Sequence, residues 1–461
     1  FLDFKLITSN LIINFSIILF LMILFLFLLL FFSHKKKKLL SFLLLFICVF
    51  ELGYNALYCI KGLDKQFGYV DYNIYKDNYN IVSPLIDYAK QSENEFFRLE
   101  KTFKRSLNEP IAFGYNGIDH YSSAYNKNIN TLTKKLGMAQ AYFWNSYYGS
   151  TPVTDALFNV KYVINDKNAP SIFKEIKSEN NYKLYKNDNV LGLCYLSSND
   201  IKNFNFSSDF FQSQNNIINS ILGDKNNTIF NTIDNNDIKQ KLINVTVSDS
   251  TYTKTSDDNK ISYEFKAINN QPIYMDLSCG TSSKGYIYVN NKKIAQTFTN
   301  DDKNTAVYIG EFEKDENVII DIVLKNNSVT FSDPQFYYFD TNSYKNAVNK
   351  IKQEGKVEEI FHDATSYKAK INVQKPKIIL PTLPFSKSWN VYIDGKSVKP
   401  ETFKNTFLYL NLSDFSSGEH EVYFKYIPQG FNIGLIISFI TISFMVLFII
   451  IKKKKINSNN K

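Results

Sequence analysis

The chain has 461 residues, 44% of them hydrophobic and 16% aromatic, with a formal net charge of +9. Two clusters of four lysines, at 35–38 and 452–455, supply eight of those nine charges, so the remainder lacks the basic surface that nucleic-acid binding requires. Four cysteines and four histidines, without CxxC or HxxxH spacing, exclude a disulfide scaffold and predict no metal site. Cys194 and Cys279 could pair, but we expect two isolated buried thiols.

Three apolar stretches predict membrane-spanning helices, at 11–32, 39–60 and 431–451. A hydrocarbon core about 30 Å thick requires about 20 such residues. Lysine clusters follow the first and the third stretch, and short basic segments stay on the cytoplasmic side. The sequence therefore predicts a multi-pass protein in the lipid bilayer of the cytoplasmic membrane, with 61–430 outside and 452–461 as a cytoplasmic tail. Because the chain begins at Phe1 rather than Met, we also expect upstream residues to be missing.

The predicted extracytoplasmic segment divides into parts of different composition. Residues 61–196 mix helix and strand signals and predict an α/β domain. Residues 197–242 are rich in Asn, Ser and Asp, and we predict a polar, solvated linker. The rest predicts two β-sandwich units, 243–342 and 354–430, joined by a bridging helix at 343–353. The expected fold class is thus a membrane protein with three transmembrane helices, an α/β domain and tandem β-sandwich units.

An internal repeat supports the pair of sandwiches. Segment 288–294 (YVNNKKI) matches segment 392–398 (YIDGKSV) position by position, and each reads as a hairpin. Asn-Asn and Asp-Gly both tolerate the positive φ angles that a type I′ turn requires. Sandwiches of this kind often bind sugars, but a fold alone does not establish an activity.

Three segments resemble the YfhO family of bacterial membrane proteins. They are 113–123 (FGYNGIDHYSS), 147–164 (YYGSTP continuing to DALFNVKYVI) and 389–396 (WNVYIDGK). Their order and the closing apolar stretch also fit, so the resemblance covers most of the chain. It implies a multispanning glycosyltransferase of the bacterial cytoplasmic membrane, with a polyprenyl-phosphate sugar as donor and a wall polymer such as lipoteichoic acid as acceptor. No other cofactor is evident.

The resemblance supplies no catalytic residue, because the acidic residue of this class sits in an early outer loop that we expect upstream of this sequence. We expect this part of the chain alone to be inactive. Two other functions stay open: a non-enzymatic surface protein that binds glycans or a partner, and a component of a transporter.

The loop formed by Asp119, His120, Tyr121, Ser122 and Ser123 is the candidate substrate-binding site. It concentrates an acid, an imidazole and hydroxyls between glycines, and the tyrosine ring offers a face on which a sugar can stack. The alternative is a structural turn in which the aspartate accepts hydrogen bonds from backbone N–H groups.

Two further places carry polar residues in apolar surroundings. Glu51 and Asn55 lie one helical turn apart in the second apolar stretch, which predicts an intramembrane polar site or a helix-packing contact. Lys161 interrupts an apolar strand, and we expect it to pair with Asp155 rather than reach a phosphate. For Trp389 beside the second hairpin we expect core packing.

Overall fold

The computed structural model describes residues 9–32, 37–67, 71–165, 169–278, 284–294, 305–355, 357–374 and 377–459. The chain divides into two compact units, Phe1–Asn80 and Ile81–Lys461. Cys279 lies outside the described residues, so its pairing with Cys194 stays untested.

The α-helices of the described residues are α1 (Ser9–Phe32), α2 (Lys37–Phe67), α3 (Tyr72–Gln91), α4 (Glu109–Phe113), α5 (Lys127–Lys135), α6 (Pro152–Phe158), α7 (Phe210–Leu222), α8 (Thr341–Gln353) and α9 (Phe431–Asn459). Among the described residues, short 3-10 turns lie at Asn199–Asn203 and Asn235–Asp237.

The strands before the first predicted sandwich are β1 (Arg98–Lys101), β2 (His120–Tyr121), β3 (Gln140–Ala141), β4 (Trp144–Asn145), β5 (Val160–Asn165), β6 (Lys174–Glu179), β7 (Tyr182–Lys186) and β8 (Cys194–Ser197). Those around the first sandwich are β9 (Phe230–Thr232), β10 (Lys239–Ile243), β11 (Val245–Ser248), β12 (Thr251–Lys254), β13 (Lys260–Lys266), β14 (Pro272–Leu277), β15 (Gly285–Val289), β16 (Lys292–Lys293), β17 (Thr305–Glu311), β18 (Asn317–Leu324), β19 (Ser328–Thr330) and β20 (Gln335–Phe339). Those around the second are β21 (Val357–His362), β22 (Ser366–Val373), β23 (Ile378–Pro381), β24 (Trp389–Ile393), β25 (Lys396–Val398), β26 (Glu401–Phe403), β27 (Phe407–Asn411) and β28 (Gly418–Tyr426).

Within the described parts of the chain, two helices are long and apolar enough to cross a membrane: Lys38–Asp64 within α2 and Phe431–Lys453 within α9. Their apolar side chains are largely exposed, as expected for surfaces that face lipid. The apolar stretch described in α1, Phe15–Leu30, is shorter, so a third span stays a prediction. In the first unit, α1 packs on α2 through Leu21, Leu28, Leu40 and Ile47.

The predicted α/β part contains a four-stranded mixed sheet in the order β1-β5-β7-β6. Strands β1 and β5 are parallel, with Leu99 opposite Tyr162. The second half of α3 packs on this sheet through Leu85 and Ile86. Helix α3 begins at Tyr72 and holds Pro84 in its interior. The missing N–H costs one hydrogen bond, and the buried apolar face beyond it compensates.

Both predicted sandwich regions consist of two sheets around a shared apolar core. The first has the orders β10-β13-β18-β15-β16 and β17-β14-β20-β9, with a small sheet β11-β12-β19 beside them. The second has the orders β21-β22-β28-β24-β25 and β26-β27-β23-β8. Met275 and Ile320 lie in the first core, and Leu410 and Phe424 in the second.

The predicted repeat is confirmed by the two hairpins. In the first, Asn290 and Asn291 have φ angles of 45° and 64°, and in the second Asp394 and Gly395 have φ angles of 50° and 75°. Positive φ at both central residues is the type I′ turn that the residue types favour. Each hairpin forms the same end of its five-stranded sheet, next to the strand at the centre.

The two sandwiches differ in where one strand comes from. In the first sandwich, β14 pairs with β20, and β20 follows β18 in the chain. In the second, the corresponding place beside β23 is filled by β8, with Leu196 opposite Ile379. The chain cannot supply a strand after β28, because α9 begins five residues later. The predicted boundaries therefore need correction: the second sandwich takes Cys194–Ser197, and the first takes Phe230–Thr232.

The prediction of a solvated linker at 197–242 is wrong. Helix α7 lies in the largest core, where Phe210 and Phe211 are buried. The polar residues around them are buried as well, because they bond to the backbone. The Asn215 side chain accepts hydrogen bonds from the N–H groups of Ile229 and Phe230. A buried amide whose hydrogen bonds are made by the backbone is therefore no evidence of contact with solvent.

Candidate functional site

The first signature segment follows helix α4 and ends in a small sheet. The helix stops at Gly114, whose φ of 68° is the left-handed conformation that favours glycine. The carbonyl of Asn116 then accepts the N–H of Leu99, which fixes the segment against β1. Residues His120 and Tyr121 form β2, which pairs with β4. The segment is thus held between the mixed sheet and the small sheet β2-β4-β3.

Asp119 is buried and points into the fold. Its Oδ1 accepts the N–H of Tyr147 at 2.5 Å, and its Oδ2 lies 3.6 Å from Nζ of Lys104. Its own N–H donates to Oε1 of Glu100 at 3.2 Å, and the N–H of Ile118 donates to the same oxygen. This contact with Tyr147 joins the first signature segment to the second.

Glu100 and Asp119 form a buried acidic pair. Burial raises the pKa of Glu100 well above its usual range, and the neighbouring Asp119 raises it further. Burial also raises the pKa of Asp119, while Lys104 opposes that shift. Among the described residues, Oε2 of Glu100 has no hydrogen-bond partner. Burial and the mutual repulsion of the two carboxylates thus both favour a proton on the pair, and Lys104 opposes this effect.

The remaining loop residues lie nearer the surface. The His120 ring is half-buried, 5.5 Å from the Tyr125 ring, and burial lowers its pKa. Tyr121 is 46% exposed, Ser122 is half-buried and Ser123 is exposed. The structure thus divides the five candidate residues into one buried acid and four residues that a ligand could reach. Whether they bind substrate stays a prediction.

Two further aromatic side chains extend this surface. Between β3 and β4, Tyr142 is 89% exposed and Phe143 is 50% exposed. The carbonyl of Phe143 accepts the N–H of Ser122, which places the turn beside the loop. Sequence reasoning missed both residues, since their neighbours give no periodic signal. Exposed aromatic patches on a folded unit are typical of binding surfaces.

A cavity of about 290 Å³ opens beside the start of the first signature segment. Gly114, Tyr115 and Asn116 line it together with Lys90 and His362. Burial raises the pKa of Tyr115, so its hydroxyl stays protonated and can donate a hydrogen bond. No cluster of His, Cys, Asp or Glu that could hold a metal ion is found among the described residues.

The described contacts of the second signature segment stabilise the fold around it. Thr151 and Thr154 form a capping box at the start of α6. Asp155 is buried in the first turn, where Ser150 Oγ donates to it at 2.7 Å and Tyr147 OH at 3.1 Å. Burial raises the pKa of Asp155 to about 7, although these hydrogen bonds oppose the shift.

Lys161 makes a structural pair, but with another partner than we expected. Its Nζ lies 2.6 Å from Glu93, and Lys186 Nζ lies 2.9 Å from the same carboxylate. Tyr162 OH also donates to Glu93, at 2.8 Å. Asp155 cannot serve, because its oxygens are already bonded inside the core. No sequence spacing indicates Glu93, since it lies 68 residues from Lys161.

The remaining sequence predictions concern Trp389 and the pair Glu51 and Asn55. Trp389 packs against Tyr426 with ring centroids 5.0 Å apart, and its Nε1 donates to the Pro384 carbonyl, in agreement with core packing. In α2, Glu51 is half-buried and Asn55 is exposed, with its Oδ1 accepting a weak contact from Cys59 at 3.7 Å. Their intramembrane role stays a prediction.

Comparisons with solved structures give weak similarity. A family two carbohydrate esterase from Clostridium thermocellum, in complex with cellohexaose, matches with a TM-score of 0.17 and 10% identity, over 21% of this chain and 30% of its own. The CBM32-1 and CBM32-2 domains of Clostridium perfringens ZmpB, in complex with GalNAc, match with a TM-score of 0.21 and 10% identity, over 46% of this chain and 91% of theirs. Such scores carry no argument about function. Among curated proteins, none matches this chain significantly.

The model of one protein family, described as bacterial membrane protein YfhO, matches residues 3–438. That range includes all three signature segments, the contact between Asp119 and Tyr147 that joins the first two, and most of the β-rich unit. Together with the apolar helices α2 and α9, it shows that this is a membrane protein. The chain belongs to the YfhO family of bacterial membrane proteins.

Proposed function

We propose that this protein contributes to a membrane glycosyltransferase that moves a sugar from a polyprenyl-phosphate donor to a wall polymer such as lipoteichoic acid. The family match over residues 3–438 is the observation that carries the proposal. In this proposal α1, α2 and α9 cross the bilayer, and 61–430 lies on the extracytoplasmic side.

The signature loop is the part of this unit that we assign to substrate contact. His120 and Tyr121 display an imidazole and a ring face beside the exposed aromatics Tyr142 and Phe143. Sugar recognition combines apolar ring faces with a few fixed hydrogen-bonding groups, and this surface offers both. Asp119 acts here as a positioning residue, because its carboxylate holds the backbone of Tyr147 rather than facing solvent.

The test uses the full-length protein in its own membrane. We expect His120→Ala and Tyr121→Ala to reduce glycosylation of the wall polymer by about tenfold or more, with unchanged levels of inserted protein, since each removes a reachable group from the surface. Asp119→Ala should reduce activity as well, but with a lower melting temperature, because it leaves the Tyr147 N–H buried without a partner.

Tyr88→Ala serves as the matched control, since Tyr88 is 38% exposed on α3 and lies outside the signature loop. Parental glycosylation by stable, inserted His120→Ala and Tyr121→Ala variants would contradict the assignment of the loop. Parental polymer modification in cells that lack the protein would contradict the transferase proposal itself.

A further inference from the structure

The outer face of the second sandwich carries an open groove, to which the third signature segment contributes Tyr392 and Gly395. It has a volume of about 550 Å³ and runs across the five-stranded sheet. Three aromatic side chains, Phe361, Tyr423 and Tyr392, line the groove together with the charged residues Lys368, Glu421 and Lys425. These residues alternate with the buried residues of the same strands, so they point away from the core.

Strand register brings the aromatic rings into one row. Phe361 on β21 is opposite Lys368 on β22, which is opposite Tyr423 on β28, which is opposite Tyr392 on β24. The ring centroids of Phe361 and Tyr423 are 6.2 Å apart, and those of Tyr423 and Tyr392 are 6.1 Å apart. The last two rings are nearly parallel, with 26° between their planes. The three rings thus follow one row across the sheet, with Lys368 at the β22 position between Phe361 and Tyr423.

The sides of the groove are polar and of mixed charge. Lys368 Nζ lies 2.7 Å from Glu421, and both side chains are partly exposed. Lys425 is exposed beside them. A sugar hydroxyl both donates and accepts, so a rim that offers ammonium donors and a carboxylate acceptor suits it.

The first sandwich shows that the fold does not need this row. Its equivalent row holds Lys241, Ser262, Asp321 and Tyr288 on the corresponding strands. There Lys260 pairs with Asp321 at 2.8 Å, and a single aromatic residue remains. Cross-strand aromatic pairs do stabilise sheets, by about 0.2–1 kcal/mol each. Since the same sheet forms without them in the first copy, their concentration in the second points to a ligand.

We propose that the groove of Phe361, Tyr423 and Tyr392 is a glycan-binding site, in which pyranose rings lie flat on the aromatic row while the lysines and Glu421 bond their hydroxyls. Exposed aromatic patches rimmed by polar groups are typical binding surfaces. The proposal is independent of transferase activity, because binding requires no sugar donor.

The test measures binding of fluorescently labelled glycans to the full-length protein in detergent micelles. The probes are hexose-substituted lipoteichoic acid, peptidoglycan strand fragments and chitotetraose, with sugar-free lipoteichoic acid backbone as the comparison. We expect at least one sugar-bearing probe to bind, and Tyr423→Ala and Tyr392→Ala to weaken its Kd about tenfold, because each removes a stacking surface. Tyr392→Phe keeps the ring and should retain most of the affinity.

Tyr288→Ala is the matched control, since it removes the equivalent tyrosine of the first sandwich and should leave binding unchanged. If Tyr423→Ala does not fold, Phe361→Ala on the edge strand replaces it, because that ring is 41% exposed and supports little of the core. Binding of no sugar-bearing probe would overturn the proposal. So would equal binding of the sugar-free backbone, or parental affinity in folded ring-deletion variants.

Discussion

At the scale of single residues, Gly149 is a place where only glycine fits. Its φ is +83°, and an added Cβ would lie 2.3 Å from the carbonyl oxygen of Gly137. That oxygen accepts the N–H of Ala306 on β17 and cannot withdraw without losing the bond. We expect Gly149→Ala to destabilise the protein by about 3 kcal/mol or more, as a fall in melting temperature, because steric clash adds to left-handed strain.

Gly395→Ala is the control for that substitution. Its φ of +75° imposes similar backbone strain, but nothing lies within 4 Å of the added Cβ. The expected cost is about 1–2 kcal/mol. Equal losses in the two variants would show that the contact between Gly149 and Gly137 is not tight.

Asp155 gives a pH dependence with a definite sign. Burial raises its pKa to about 7, against an ordinary value of about 3.9 in the unfolded chain. The folded state therefore keeps the proton in a range where the unfolded state loses it, so stability from this group is full below about pH 4 and is lost as the pH rises to about 7. Asp155→Asn should remove this loss, and its stability relative to the parent should rise between pH 4 and 8 by at most about 4 kcal/mol.

Melting temperatures of the two proteins in micelles across that pH range provide the measurement. Asp249→Asn is the control, because Asp249 is an exposed turn residue with a φ of 47° that Asn also adopts. A difference between Asp155→Asn and the parent that stays constant with pH would mean that the carboxyl is not protonated in the fold.

At the scale of elements, β8 makes the second sandwich depend on a distant part of the chain. Leu196 is buried in that core, opposite Ile379. We expect Leu196→Asp to abolish the slow hydrogen exchange of the β23 amides, since a buried unpaired charge would displace β8. Leu242→Asp, at a 37% exposed position on β10, is the control. Retained protection of β23 in Leu196→Asp would contradict the assigned pairing.

Sequence patterns predicted local elements better than they predicted which distant strands join one sheet. The hairpins at 288–294 and 392–398 followed from turn residues whose φ preferences are local. Nothing local indicates that β8 joins β23, because pairing across that distance depends on the whole core. The buried role of Asn215 was hidden for the same reason: an amide bonded to the backbone and an amide in water look alike in sequence.

The same difference between local and long-range features applies to the candidate site. The sequence supplied the signature segments, and the structure adds that the first two are in contact through Asp119 and Tyr147. The buried acid Glu100 was not predicted, since a single glutamate at the end of a strand is ordinary in sequence. Its burial results from the loop that folds over it, with the N–H of Ile118 donating to its carboxylate.

At the scale of the whole molecule, the predicted topology is the main test. We expect Ser250→Cys to react with a membrane-impermeant maleimide on intact cells and Ser458→Cys to react only after permeabilisation, in a background without other cysteines. Each position lies in a part that lysine clusters assign to one side, 61–430 outside and 452–461 inside. Reaction at 458 but not at 250 on intact cells would invert the topology.

The origin of β8 also has a consequence for synthesis of the protein. The ribosome synthesises β8 roughly 180 residues before its partner β23. Until β23 has been synthesised, the apolar edge of β8, which is buried in the folded protein, stays unpaired. Sequential folding during translation, in which each part closes before the next appears, is therefore impossible for the second sandwich. All strands of the second sandwich are present only once β28 has been synthesised. Helix α9 begins five residues after that strand ends. A chain whose translation stops before β23 would leave the β8 edge unpaired and open to proteases.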